Sequence, residues 1–206
     1  MSTRRLRQRG YTAVELMMAI AVFGIGVAGI ISMEKVTSVA NQHAKNVAIA
    51  THIAQSWLDT LSTDAVMWNH PRAGDPAGTP TDLARDTTWL QYVTTKADTS
   101  ANWFFPPYAT LPITFGPAFD ALGNPVNPVT NAANVAFCSH LRLSYLYQPD
   151  SGGNGLIRAE VRVFWLRDGQ TFLGKMCDAG TVANINNATT TFHFVQKITA
   201  IRENSQ

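Results

Sequence analysis

The chain has 206 residues, with 16 Lys and Arg against 14 Asp and Glu and only 15% charged residues overall. That length fits one domain plus an anchor, and with no basic cluster beyond the first ten residues the composition excludes a charge-built nucleic-acid surface. The formal charge of +2 is an effect of the leader: without Arg4, Arg5, Arg7 and Arg9, twelve basic residues face fourteen acidic ones.

The first predicted element is a long helix. Gly10-Tyr11-Thr12-Ala13-Val14-Glu15 leads into a run from Leu16 to Met33 that carries no charged side chain. Its 18 residues are the length of a membrane-spanning helix, and they exceed the apolar stretch of an ordinary secretory signal. Glu15 is the anomaly. A carboxylate at the mouth of an apolar stretch costs a few kcal/mol unless it finds a partner. The nearby cations, Arg4, Arg5, Arg7 and Arg9, all precede Gly10. A cut after Gly10 would create a new cation, the α-amino group of Tyr11, at the right depth. The leader arginines hold the N-terminus in the cytoplasm, so the bulk of the chain is exported.

This N-terminus resembles the class III signal of type IV prepilins and type II secretion pseudopilins. The pattern is a short basic leader, a glycine, an N-methylated aromatic residue and a glutamate as fifth residue of the mature chain. Here these are Arg4 to Arg9, Gly10, Tyr11 and Glu15, with tyrosine in place of the usual phenylalanine. The run Val22-Phe23-Gly24-Ile25-Gly26-Val27-Ala28-Gly29 looks most like that of the PilV-like minor pilins. The resemblance implies cleavage after Gly10 and methylation of Tyr11 by a prepilin peptidase. It implies an inner-membrane helix and, later, a place in a cell-surface pilus. Its implied partners are major and minor pilins, met through the N-terminal helix, with Glu15 pairing to the amino group of Tyr11 in its own chain or a neighbour. A minor pseudopilin of type II secretion is the alternative within the class. A twin-arginine signal at Arg4-Arg5 and an ordinary cleavage site at Ser38-Val39-Ala40 compete with this reading. The latter lies beyond Glu34 and Lys35, inside a helical pattern. A generic signal anchor would need neither Gly10 nor Glu15.

The helix is expected to continue past the membrane. Val36, Ala40, His43, Val47, Ala50, Ala54, Trp57 and Leu61 fall at steps of three and four and form one stripe, with polar residues opposite. No proline interrupts Tyr11 to Leu61. The stripe is expected to pack on the chain's own sheet, with His43 as a core or boundary residue.

Residues 63–136 change character. Nine of the ten prolines lie between Pro71 and Pro128, and Gly123-Asn124-Pro125 is one of several turn signals. Nine aromatic residues, from Trp68 to Phe119, argue for an ordered loop anchored on the core rather than a solvated tract. A short helix is expected over Thr81 to Lys96.

The C-terminal part alternates as strands do. Leu141, Leu143, Tyr145 and Tyr147 share one face, and Ile157, Ala159, Val161, Val163 and Trp165 share another. Arg158, Glu160 and Arg162 are expected to point outward, although Phe164 argues that this second face is partly covered. A third strand is expected at Thr171 to Cys177, a loop at Asn184 to Asn187 and a fourth strand at Thr191 to Ile201. In an exported domain Cys138 and Cys177 fit one disulfide, with two free thiols the other reading. A metal site through Cys138, His140 and Cys177 lacks a fourth ligand.

The fold class expected is α+β and, by the resemblance, pilin-like: a long N-terminal helix packed on an antiparallel sheet of about four strands. The organisation expected is leader 1–10, membrane and filament-core helix 11–33, amphipathic continuation 34–62, loop region 63–136 and sheet 137–206. No catalytic motif, phosphate loop or dinucleotide fingerprint is present, and no cofactor, metal or enzymatic activity is expected. Asp64, Asp75, Asp82 and Asp86 do not have calcium-loop spacing. Asn187-Ala188-Thr189 is a glycosylation sequon by pattern alone. The other class of reading is a membrane-anchored enzyme or binding module that uses the loop aromatics.

Overall fold

The computed structural model describes residues 10–68, 83–93, 103–110, 113–147, 155–167, 177, 185 and 190–202. The chain divides into two compact units, Met1–Asn46 and Val47–Gln206. Helix α1 (Ala13–Asp64) supplies residues to both.

In the first unit α1 has no inward side. Leu16, Met17, Ile20, Phe23, Ile25 and Ile31 are all largely exposed. Two hydroxyls here bond to the preceding turn: Ser32 Oγ donates to Gly29 O at 2.8 Å and Thr37 Oγ1 to Met33 O at 2.9 Å. One window of this helix is apolar enough, at mean hydropathy 2.3, to cross a membrane. Val36, Ala40 and His43 are exposed as well, so the packed stripe begins at Val47 and not at Val36. His43, expected as a core or boundary residue, is exposed.

The second unit is α1's last turns laid on an antiparallel sheet. The strands are β1 (Ala118–Phe119), β2 (Pro125–Val126), β3 (Phe137–Tyr147), β4 (Leu156–Leu166) and β5 (Phe192–Arg202), in the order β2-β1-β3-β4-β5. Ala50, Ile53, Ala54, Trp57, Leu58 and Leu61 of α1 bury against one face of this sheet. That face carries Phe137, Leu141 and Leu143 from β3, the odd-numbered residues Ile157 to Trp165 from β4, and Ile201 from β5. The helical period and the strand period thus deliver their apolar residues to the same space.

The described sheet has five strands where about four were expected. The additional pair, β1 and β2, forms a small hairpin inside the proline-rich region. Asp120 builds its turn: one carboxylate oxygen accepts the Leu122 and Asn124 amides at 2.8 and 2.9 Å. Gly123 takes φ +87° there, a left-handed conformation that glycine adopts without strain. Of the strand expected at Thr171 to Cys177, all but Cys177 lies outside the described residues. No strand separates β4 from β5, which pair directly from Leu156↔Arg202 to Leu166↔Phe192. The loop expected at Asn184 to Asn187 lies outside the described residues apart from Ile185, which is buried.

Three further expectations change. Tyr147 does not share the face of Leu141 and Leu143. A register shift between Tyr145 and Tyr147 sets Tyr147 opposite Leu156, on the other face, where it is 60% exposed. Glu160 and Arg162 are buried rather than outward, at 2% and 7% exposure, because the second face of the sheet is covered. The helix expected over Thr81 to Lys96 is described only as α2 (Leu83–Asp86). It stops because the Thr88, Trp89 and Leu90 amides turn to the Asp64 carboxylate, at 2.7, 2.8 and 2.9 Å, instead of continuing the helical ladder. That carboxylate is buried at the end of α1 and ties the loop region to the helix.

The cover on the second face comes from Trp103-Phe104-Phe105. Phe104 bridges to Leu141 of β3 through two backbone hydrogen bonds of 2.8 and 3.0 Å. This single bridge sends Phe104 into the helix-side core and its two neighbours over the opposite face. Trp103 lies on the guanidinium groups of Arg142 and Arg162, at 4.9 and 4.5 Å, and Phe105 meets His140 edge-on. Beneath them Glu160 accepts from Arg142, from Arg158 at 2.8 Å and from Gln196 at 2.9 Å. A buried carboxylate is thereby paired and hydrogen-bonded rather than stranded.

Candidate functional site

Gly10, Tyr11 and Glu15 fall within one turn of the helix start. Gly10, Tyr11 and Thr12 are not helical, and α1 begins at Ala13. Thr12 sets that boundary: its Oγ1 accepts the Glu15 amide at 3.3 Å, while its carbonyl accepts the Leu16 amide at 3.2 Å. This is an N-cap residue with a glutamate three positions on, the arrangement of a capping box. The Gly10–Tyr11 peptide bond therefore lies in non-helical backbone beside an exposed ring, Tyr11 being 86% exposed. A Cβ placed on Gly10 would meet nothing within 4 Å. The fold does not ask for glycine there, so any such requirement comes from a molecule that reads the bond. Glu15 sits in the first turn, where the helix dipole favours a carboxylate. In the uncut chain the Tyr11 nitrogen is an amide and carries no charge. The leader arginines, Arg4 to Arg9, lie outside the described residues.

Cys138 and Cys177 form a disulfide with Cα atoms 5.6 Å apart. It anchors Cys177 to the covered face, in a cluster with Ala118, Phe164, Ile185 and Phe192. Both sulfurs are committed to each other and are not thiolate ligands. The third member of the metal reading, His140, is turned to another use: the Arg162 guanidinium lies 3.1 Å from its Nδ1. An arginine only donates, so Nδ1 accepts and the ring is neutral. Burial, reinforced by the Arg162 charge, lowers the His140 pKa from 6.5 to about 3. Among the described residues no group of three His, Cys, Asp or Glu is placed to hold a metal ion.

Of the four aspartates considered for calcium, Asp75 and Asp82 lie outside the described residues, and Asp64 is a backbone acceptor. Asn187-Ala188-Thr189 also lies outside them. Sequence reasoning missed Thr12, Asp64 and the Trp103 cover. Thr12 had a signal, the Thr-x-x-Glu spacing, and Trp103-Phe104-Phe105 had a weak one, a short aromatic strand. Asp64 had none, because its partners are backbone amides.

Comparison with protein families matches residues 5–31 to the prokaryotic N-terminal methylation motif. Comparisons with curated proteins and with solved structures return no significant match. This motif supports a likeness to type IV pilins and pseudopilins; it leads into an apolar helix long enough to cross a membrane, and a disulfide-bonded α+β unit follows.

Proposed function

We propose that the chain is a structural subunit, a minor pilin of a type IV pilus. It is made as an inner-membrane prepilin with its N-terminus in the cytoplasm and its C-terminal unit in the periplasm. A prepilin peptidase cuts after Gly10 and methylates Tyr11, and the mature chain joins or primes the filament alongside other pilins. Its role is structural rather than enzymatic. The observation that carries this reading is the unsatisfied N-terminal helix. Apolar side chains surround it, and Cβ atoms at Gly24, Gly26 and Gly29 would meet nothing within 4 Å. Small residues that the chain's own packing does not require permit close contact with other helices. Glu15 has the same logic: once Tyr11 has a free amino group, a cation is available to neutralise it in an apolar bundle.

Processing is the direct test. Gly10→Val should leave the full-length chain in the membrane, while wild type shortens by ten residues on co-expression with a prepilin peptidase. Cleavage of both forms, or of neither, contradicts the reading.

A further inference from the structure

A cleft of about 590 Å³ opens on the second unit between the 103–109 segment and the turn after β2. Its walls are Tyr92, Trp103, Phe105, Tyr108, Asn127 and Pro128, with further prolines around them, and no charged side chain lines it among the described residues. Each of the three amphipathic rings is held by a different contact. Tyr92 packs on Phe104 at 5.4 Å between centroids. Trp103 rests on the Arg142 and Arg162 guanidinium groups. Tyr108 lies so close over Gly116 that a Cβ there would sit 2.5 Å from its ring. Gly116 has an ordinary φ, so the glycine is needed for that approach and not for its backbone conformation. Asn127 Oδ1 is occupied by the Val129 and Thr130 amides, at 2.9 and 3.3 Å, which leaves its side-chain N–H groups as donors. The cleft is thus lined by aromatic rings already held in place, and its lining residues include an amide, an indole and two phenols.

We propose that this cleft binds an extended, proline-containing peptide segment of a partner protein in the polyproline II conformation. Such a segment makes no internal hydrogen bonds, so its carbonyls are free to accept from the indole, phenol and Asn127 donors. Its flat rings lie on aromatic ridges, and little chain entropy is lost because the conformation is already populated. An uncharged lining gives no purchase to acidic or basic peptides. A sugar needs several polar side chains converging on its hydroxyls, and Asn127 alone supplies an amide here. The proposal goes beyond the filament reading and does not depend on it.

The test uses the full chain in detergent and fluorescein-labelled deca-proline, read by anisotropy, against a Gly-Ser peptide of equal length and unlabelled maltohexaose as competitor. Deca-proline should bind at least about tenfold more tightly than the Gly-Ser peptide, and Tyr108→Ala should weaken it by about tenfold. If Tyr108→Ala loses the native near-ultraviolet circular dichroism, Tyr108→Phe combined with Tyr92→Phe keeps the rings and removes both hydroxyl donors, with a several-fold loss expected. Equal binding of the two peptides, binding unaffected by the cleft variants, or displacement by maltohexaose would each overturn the proposal.

Discussion

The indole N–H of Trp57 on α1 donates to Ser139 Oγ on β3 at 2.7 Å, in the buried space between helix and sheet. Ser139 relays the bond, its hydroxyl donating to Pro117 O at 3.2 Å and its amide to the same oxygen at 2.7 Å. One polar chain therefore ties the helix, the central strand and the lead-in to β1, amid the edge-on rings of Trp89 and Phe115. Trp57→Phe should cost about 1–3 kcal/mol through the lost bond and the lost volume. Ser139→Ala should cost about 1–2 kcal/mol by stranding the indole. A double-mutant cycle in denaturant should show a coupling of about 1 kcal/mol. Additive losses would mean that the bond is absent in solution.

Asp64 should be the main clasp between α1 and the loop region. Asp64→Ala leaves two buried amides and one half-buried amide without their acceptor and should destabilise the unit by about 2–3 kcal/mol at neutral pH. Burial raises the Asp64 pKa above 3.8, against the opposing effect of the Thr88, Leu90 and Trp89 amides. The folded state then holds this proton more tightly than the unfolded chain does. Its stabilising share is complete below pH 3.8 and declines as pH rises through the folded value. Chemical denaturation across that range should show wild type losing stability relative to Asp64→Asn as pH rises.

His140 titrates in the opposite sense. Its folded pKa of about 3 lies below the ordinary 6.5, so its share of stability is present above pH 6.5 and is lost as pH falls toward 3. His140→Gln keeps an acceptor for Arg162 and does not titrate. Thermal melts between pH 7 and pH 4 should fall less steeply for this variant than for wild type. Parallel curves would show that the ring is charged or exposed.

The Cys138–Cys177 bridge closes a loop spanning 39 positions, which chain entropy values at about 4 kcal/mol. Cys138→Ser with Cys177→Ser should lower the denaturation midpoint accordingly, and in wild type neither cysteine should alkylate before reduction. Labelling of both cysteines in the native, unreduced protein would contradict the bridge.

What could be read ahead of the structure was what local periodicity encodes. Ala50, Ala54, Trp57 and Leu61 were legible because a helix repeats at three and four. Leu141, Leu143 and the odd residues of β4 were legible because a strand repeats at two. The same rule misplaced Glu160 and Arg162. Alternation says which face a residue joins, but not that Trp103, from a distant part of the sequence, will cover it. Tyr147 was misplaced by an irregular step in β3 that side-chain chemistry does not announce. At the N-terminus the methylation motif over residues 5–31 was legible because it is a pattern of residue types in fixed register. The Asp64 clasp was not, since nothing in an aspartate's neighbours shows that amides more than twenty residues away will converge on it.

The central claim is that this chain enters a filament through a processed N-terminal helix. Mass spectrometry of N-terminal peptides from sheared surface filaments and from the membrane pool, for wild type and Glu15→Ala, tests it most directly. Wild type should appear in the filaments, beginning at N-methylated Tyr11. Glu15→Ala should stay at a near-normal level in the membrane and be depleted by about tenfold or more from the filaments. A chain that begins at Met1 or Asn41, or equal incorporation of the two forms, would contradict it.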